Sequence, residues 1–191
     1  MHAEVTQRQH YNRIAADYEA QYGDPDGLNY REQFLYEPLF VGLDLKGRQV
    51  LEALSGSGHA TEYLLTHKSA RVTGLDISDE AIESFKTRWP GCEAICAPIT
   101  KSDLPDESFD CVVVVMGLHH LHPHLGEALR EIHRLLRKGG VFCFAAPCAG
   151  LISLETRTRD SMSYPAYEYW TSSCVVRRFS CFDRRAGRCA D

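Results

Sequence analysis

The sequence predicts an α/β fold built on a doubly wound, mostly parallel sheet, on three observations. The first is Val50-Leu51-Glu52-Ala53-Leu54-Ser55-Gly56-Ser57-Gly58, an apolar run that ends on a carboxylate and breaks at once into small residues. The second is Arg71-Val72-Thr73-Gly74-Leu75, a further apolar run closed by Asp76. The third is the stretch Asp110 to Met116, whose consecutive valines read as a strand buried on both faces. Helix-length segments separate these runs. Strands alternating with helices require right-handed crossovers, which place ligands at the carboxyl ends of the strands where the winding reverses.

Along the chain, Tyr11, Ile14, Ala15, Tyr18 and Tyr22 recur at helical spacing and predict an amphipathic helix over 4–22 with an aromatic stripe. Gly23 to Asn29 is turn chemistry, expected as a hinge. A second helix is expected over 30–43, and strand one from about Gln49. After the glycine turn a helix should run from Ala60 to His67, and strand two from Arg71 to Leu75. Ser78 is placed to cap a helix over Asp79 to Arg88, with Asp79 and Glu80 in the first turn where the helix dipole favours them. Pro90-Gly91 stops that helix; strand three is Glu93 to Cys96 and strand four Asp110 to Met116. A helix over Leu125 to Arg137 is stopped by Gly139-Gly140, and strand five is Val141 to Ala145.

Composition bounds the function. With 191 residues, 44% of them hydrophobic, the chain suits one domain with a substantial core. The longest apolar run, Cys111 to Met116, is far below membrane-span length, and no charged start leads into a cleavage site. A soluble cytoplasmic protein with no membrane partner is expected. Eight cysteines without a C-x-x-C pair read as reduced thiols, with no metal site. A net charge of −5 argues against nucleic acid as partner.

The turn after strand one has the chemistry of a nucleoside site. Gly56 and Gly58 let backbone approach a ligand, and the following helix N-terminus presents N–H groups. Asp76, at the tip of strand two, can accept both hydroxyls of a ribose and repels a 2′-phosphate. Dinucleotide-binding folds share this acid. Their third glycine would fall at Thr61, however, and Glu52 is an unwelcome neighbour for a pyrophosphate. A cationic ligand tolerates an acidic rim.

Six segments, in this order and spacing, resemble the class I S-adenosylmethionine-dependent methyltransferases, small-molecule branch, over about residues 7 to 150. They are Tyr11 to Tyr18, Val50 to Gly58, Gly74 to Ser78, Leu104 to Asp110, Gly117 to Leu121 and Leu135 to Gly140. The resemblance implies a Rossmann-like core over 44–150, an N-terminal helical lid over 1–43 and in-line methyl transfer from S-adenosylmethionine, releasing S-adenosylhomocysteine, to a small-molecule acceptor. Tyr11 and Tyr18 would line the cofactor from the lid. Glu52, Ala53, Leu54, Gly56, Ser57, Gly58, Asp76, Ile77, Pro98, Ile99 and Met116 would hold it. His119 and His120, following strand four, are candidate bases because an imidazole suits proton transfer near neutrality. Two departures stand out: Leu54 where the family has a small residue, and Pro98 where it usually has an acid for the adenine amino group.

Two other readings compete. A nicotinamide-dependent reductase is disfavoured by Thr61, Glu52 and the lack of a Tyr-x-x-x-Lys pair. A non-catalytic domain binding the same adenosine ligand would follow if the C-terminal strands are lost. The family usually closes its sheet with a two-strand hairpin, and beyond Ala146 only Cys174-Val175-Val176 is strand-like, followed by a basic tail. Residues 151–191 are therefore poorly legible, and a truncated or altered C-terminus is expected. That would leave strand five exposed as a template for self-association; the alternative is that Tyr164 to Phe182 folds back as a substitute hairpin.

Overall fold

In the computed structural model, residues 2–22, 25–68, 70–147 and 174–180 are described, with side chains over 5–15, 27–68 and 70–146. Strands β1 (Gln49–Ala53), β2 (Arg71–Asp76), β3 (Glu93–Cys96), β4 (Phe109–Val115), β5 (Leu136–Pro147) and β6 (Cys174–Ser180) form one sheet. Its order is β3-β2-β1-β4-β5-β6. The first five strands are parallel and β6 runs antiparallel to β5. The winding reverses between β1 and β4, so a crevice opens at their carboxyl ends.

Strand alternation divides the core into two layers. Val50, Cys111, Val113, Cys143 and Ala145 face one side, packed by Leu39, Phe40, Ala60 and Leu64. Leu51, Ala53, Val112, Val114 and Phe142 face the other, packed by Ala128, Ile132 and Leu135. The valine run of β4 thus serves both layers, as its unbroken hydrophobicity predicts.

The helices are α1 (His2–Tyr22), α2 (Pro25–Arg31) and α3 (Glu37–Phe40), then α4 (His59–Lys68), α5 (Asp79–Arg88) and α6 (Leu125–Leu135). A π-helical turn (Glu32–Tyr36) joins α2 to α3, and a 3₁₀ turn (Leu118–Leu121) follows β4. Ser78 caps α5 as expected, its hydroxyl accepting from Ala81 N at 3.2 Å. The segment expected as a hinge turn is helical from Pro25, because proline suits the first helical position where its missing N–H costs nothing; Gly23 and Asp24 lie outside the described residues. Leu39 and Phe40 are fully buried, so residues 25–40 belong to the core layer, while α1 lies across the crevice. The helix expected to Arg137 ends at Leu135, because Leu136 turns extended and pairs with Phe109.

The outer edge of β5 is not exposed, which corrects the premise of the self-association expected from it. β6 pairs along it from Val141↔Ser180 to Pro147↔Cys174. Its Cys174-Val175-Val176 run supplied the strand signal, and Arg177 and Arg178 continue the strand where the basic tail was expected. One strand, not a hairpin, covers β5 among the described residues; 164–173, 181 and 182 of the expected hairpin lie outside them. No helix among those residues is long and apolar enough to cross a membrane.

Candidate functional site

A cavity of about 800 Å³ occupies the crevice, within the range of small-molecule pockets. Each strand tip contributes. β1 brings Glu52, Leu54, Gly56 and Ser57; β2 brings Asp76 and Ile77; the loop after β3 brings Pro98 and Ile99; β4 brings Met116. Tyr11 lines the cavity from α1 and His120 from the 3₁₀ turn. Ala53, Gly58 and His119 do not line it. Ala53 is turned into the core, Gly58 is covered by Trp89, and His119 points to solvent. Tyr18 lies on α1, but its side chain is outside those described.

Two non-glycine residues at the reversal point adopt left-handed backbone, Leu54 (φ 54°) and Met116 (φ 56°). Such strain gathers at functional sites, where the surrounding fold enforces it. Leu54 thereby takes the conformation that the family's small residue at this position would adopt freely, and its side chain rests against Gly117. At Gly56 (φ 54°) a Cβ would meet nothing within 4 Å, so open space borders the backbone where a ligand must approach.

Asp76 is fixed by its neighbours. Gly56 N donates to Oδ2 and Ser78 N to Oδ1, each at 2.9 Å. Burial pushes its pKa up, and these backbone donors oppose the rise. A carboxylate offers about four lone-pair sites, so capacity remains beyond the backbone donors Gly56, Ser78 and Ile77.

Glu52 differs from the acidic rim that the sequence implies. It is buried, and its carboxylate turns back to the start of α4, accepting from Ala60 N at 3.1 Å and from the Thr61 hydroxyl. The helix N-terminus expected to offer free N–H groups is thus occupied by an internal anion. A pyrophosphate there would meet that carboxylate. Thr61 stands where a dinucleotide fold would need glycine because its hydroxyl serves Glu52.

Burial pushes the Glu52 pKa up to about 7, against the lowering effect of the Thr61 and Ala60 hydrogen bonds. Between pH 4.5 and 7 the folded chain holds a proton that the unfolded chain has released, so stability falls as pH rises through that window. The rise corresponds to roughly 3 kcal/mol. We expect Glu52→Gln to gain on the parent between pH 5 and pH 8 by up to about that amount in urea unfolding. A gap that does not widen with pH contradicts the buried-charge assignment.

Arg31 escaped the sequence reading. It is 7% exposed, lines the cavity, and stands beside the Tyr36 hydroxyl near Glu52. Its signal was helical spacing: Arg31 shares a face with Leu35, one turn on, which is buried. Tyr36, also a lining residue, has its pKa raised by burial first and by Glu52 second.

α1 is fastened across the opening at both sides. Arg8 and Asn12 reach Asp79 at 3.3 and 3.4 Å, and Ser78 Oγ donates to Asn12 Oδ1 at 2.7 Å. On the other side Gln7 Nε2 donates to the carbonyl of His120 at 3.0 Å, and Tyr11 meets the His120 ring edge-on at 5.5 Å. His119 and His120 lie 3.7 Å apart. Burial lowers the His120 pKa to about 4, helped by His119 and His10, and burial also lowers that of His119. The four cysteines with described side chains, Cys92, Cys96, Cys111 and Cys143, are free thiols; no group of three or more metal-ligating side chains gathers among the described residues.

Residues 51–144 match the family model described as a methyltransferase domain. Over that segment, just under half of its length, the chain is similar to methyltransferase domains. It is 38% identical over 114 residues to the phthiotriol/phenolphthiotriol dimycocerosates methyltransferase of Mycobacterium tuberculosis, covering 58% of this chain and 42% of that protein. It is 33% identical over 124 residues to the fatty-acid O-methyltransferase of Mycolicibacterium smegmatis, covering 63% and 45%. The chain thus spans less than half the length of these curated relatives. Among solved structures, phosphoethanolamine N-methyltransferase 2 of Haemonchus contortus, in complex with S-adenosyl-L-methionine, superposes with a TM-score of 0.63 at 19% identity, over 74% of this chain and 35% of that one. The [4+2]-cyclase SpnF superposes at 0.64 and 17% identity, over 75% and 60%. These likenesses establish a Rossmann-like fold.

Proposed function

We propose that the methyltransferase domain binds S-adenosylmethionine and transfers its methyl group to a small apolar acceptor. The observation that carries this reading is the charge pattern of the cavity. Its lining holds three charged residues among those described: Asp76 at the tip of β2, and Glu52 with Arg31 at the tip of β1. A ribose, an ammonium and a carboxylate are the groups that these three complement, and S-adenosylmethionine carries all three.

Asp76 accepts the two ribose hydroxyls, and Arg31, with Tyr36 beside it, takes the carboxylate. Glu52 supplies negative potential to the cationic end from within, and an approaching cation lowers its pKa. Ile77 and Ile99 sandwich the adenine, while Pro98 offers apolar contact in place of the family's usual acid. Gly56 and Ser57 border the methionine end with backbone, and Met116 closes the floor.

Bound S-adenosylmethionine supplies an electrophilic methyl carbon on an already activated sulfur. The protein's task is alignment, which is worth up to roughly 7 to 11 kcal/mol in well-oriented reactions. α1, tied to Asp79 on one side and to His120 on the other, excludes water from that alignment. The relatives named for phthiotriol lipids and for fatty acids support an apolar acceptor. A direct assay tests the reading: the 191-residue chain is incubated with S-adenosylmethionine and apolar acceptors, and S-adenosylhomocysteine is measured by mass spectrometry. Acceptor-dependent release is expected; cofactor binding without release on any acceptor favours a non-catalytic adenosine-ligand domain.

A further inference from the structure

Resting on that reading, we infer that Asn12 is a positioning residue for the ribose: acting through Ser78, it joins the seating of α1 to the orientation of Asp76, so that α1 closes on a nucleoside whose hydroxyls Asp76 has taken. Arg8, Tyr11, Asn12 and Ala15 recur at helical spacing and share one face of α1. That face meets the tip of β2. Arg8 Nη1 lies 3.3 Å from Asp79 Oδ1. Asn12 bonds on two sides: its Nδ2 donates to Asp79 Oδ2 at 3.4 Å, and its Oδ1 accepts from the Ser78 hydroxyl at 2.7 Å. Tyr11 and Ala15 line the cavity; burial, and after it the Asp76 charge, pushes the Tyr11 phenol up to about 12.

Ser78 stands between Asn12 and Asp76. It is 1% exposed, its N–H donates to Asp76 Oδ1 at 2.9 Å, and its hydroxyl oxygen accepts from Ala81 N at 3.2 Å while the hydroxyl proton goes to Asn12. One buried residue thus carries the α5 cap, the contact to α1 and an anchor of the ribose carboxylate. At the other end of the path the Cys96 thiol donates to Asp79 Oδ1 at 3.1 Å. Cys96 and Asn12, with Arg8, hold the Asp79 carboxyl below the usual carboxylate range. An amide whose N–H donates to an anion is a better acceptor at its oxygen, because bonds in a chain polarise one another. Asp79, Asn12, Ser78 and Asp76 therefore form a continuous path from the seat of α1 to the crevice.

Loss of the Asn12 side chain would free the Ser78 hydroxyl and loosen the turn between β2 and α5, so Asp76 would meet the ribose less well oriented. The same coupling runs the other way, since a ribose held by Asp76 fixes that turn in the form on which α1 seats. Arg8 pairs with Asp79 on its exposed side and stands off this path.

The test titrates S-adenosylhomocysteine by calorimetry into the full chain, into Asn12→Ala and Asp76→Ala, and into the double variant. Failure to bind the parent overturns the cofactor reading and this inference with it. Where the parent binds, Asn12→Ala should weaken the ligand by about fivefold, the effect of one hydrogen bond, but by less than about twofold once Asp76 is alanine, because side chains in one network are not additive. Losses that multiply, or an unchanged affinity in Asn12→Ala, contradict the positioning role and leave the cofactor reading intact. Arg8→Ala is the comparison and should weaken the ligand by the same factor with and without Asp76. A dependence on Asp76 as strong as that of Asn12 would assign the coupling to α1 as a whole and overturn the role of Asn12. Hydrogen exchange tests the relay with Asn12 in place: saturating S-adenosylhomocysteine should slow the amides of residues 8–15 about fivefold more in the parent than in Asp76→Ala. Equal slowing in the two contradicts the relay.

Discussion

Replacing Asp76 by alanine should weaken S-adenosylhomocysteine binding by about tenfold or more, because a lost hydrogen bond to a charged group costs roughly 1.5 to 3 kcal/mol. The carboxylate is oriented before any ligand arrives: Gly56 N and Ser78 N hold one oxygen each. Two ribose hydroxyls can then donate to the remaining lone pairs without reorganising the loop. Calorimetry gives the dissociation constant, and a melting curve of the variant checks that the fold survives loss of the two backbone anchors. An unchanged constant in a folded variant removes the ribose assignment.

Gly58→Ala should destabilise the fold by about 2 to 4 kcal/mol, combining left-handed strain with overpacking. Gly58 has φ 86°, and a Cβ there would meet Trp89 Nε1 at 2.5 Å and Phe85 Cε2 at 2.7 Å. The indole cannot simply withdraw, because its Nε1 donates to the carbonyl of Ser57 at 3.0 Å and so holds the turn beside the cavity. For a chain of this size the loss corresponds to a melting point lower by roughly 10 °C. Gly56→Ala is the control. It shares the positive φ but has open space, so it should cost only the backbone strain, about 1 kcal/mol. Equal losses at the two positions would show that crowding by Trp89 is not what demands glycine.

These two residues mark what was legible in the sequence. The parallel strands and α4 to α6 could be read because a buried strand ending on a carboxylate and broken by glycine has few alternatives, and because Ser78 and Pro90-Gly91 punctuate the chain. Asp76 could be placed at a strand tip because it closes the apolar run of β2. Glu52 could not be oriented: a carboxylate in the same place can turn to a ligand or to the next helix, and only its contact with Thr61 decides. Arg31 belongs to a helix whose face was visible, but its partnership with Tyr36 and its entry into the cavity depend on α2 packing beside β1. β6 was half visible, since its apolar half is short and Arg177 and Arg178 read as tail until paired with Phe144 and Cys143.

The central claim is that the crevice is built for a nucleoside joined to a zwitterionic amino acid, not for a dinucleotide. Parallel calorimetric titrations of the intact chain with S-adenosylhomocysteine and with NAD test it most directly. Glu52 accepts from Ala60 N at the start of α4, where a pyrophosphate would have to sit, while Asp76 and Arg31 line the cavity. Saturable one-to-one binding of S-adenosylhomocysteine, with no heat from NAD at the same concentrations, is the predicted result; binding of NAD without S-adenosylhomocysteine would contradict it.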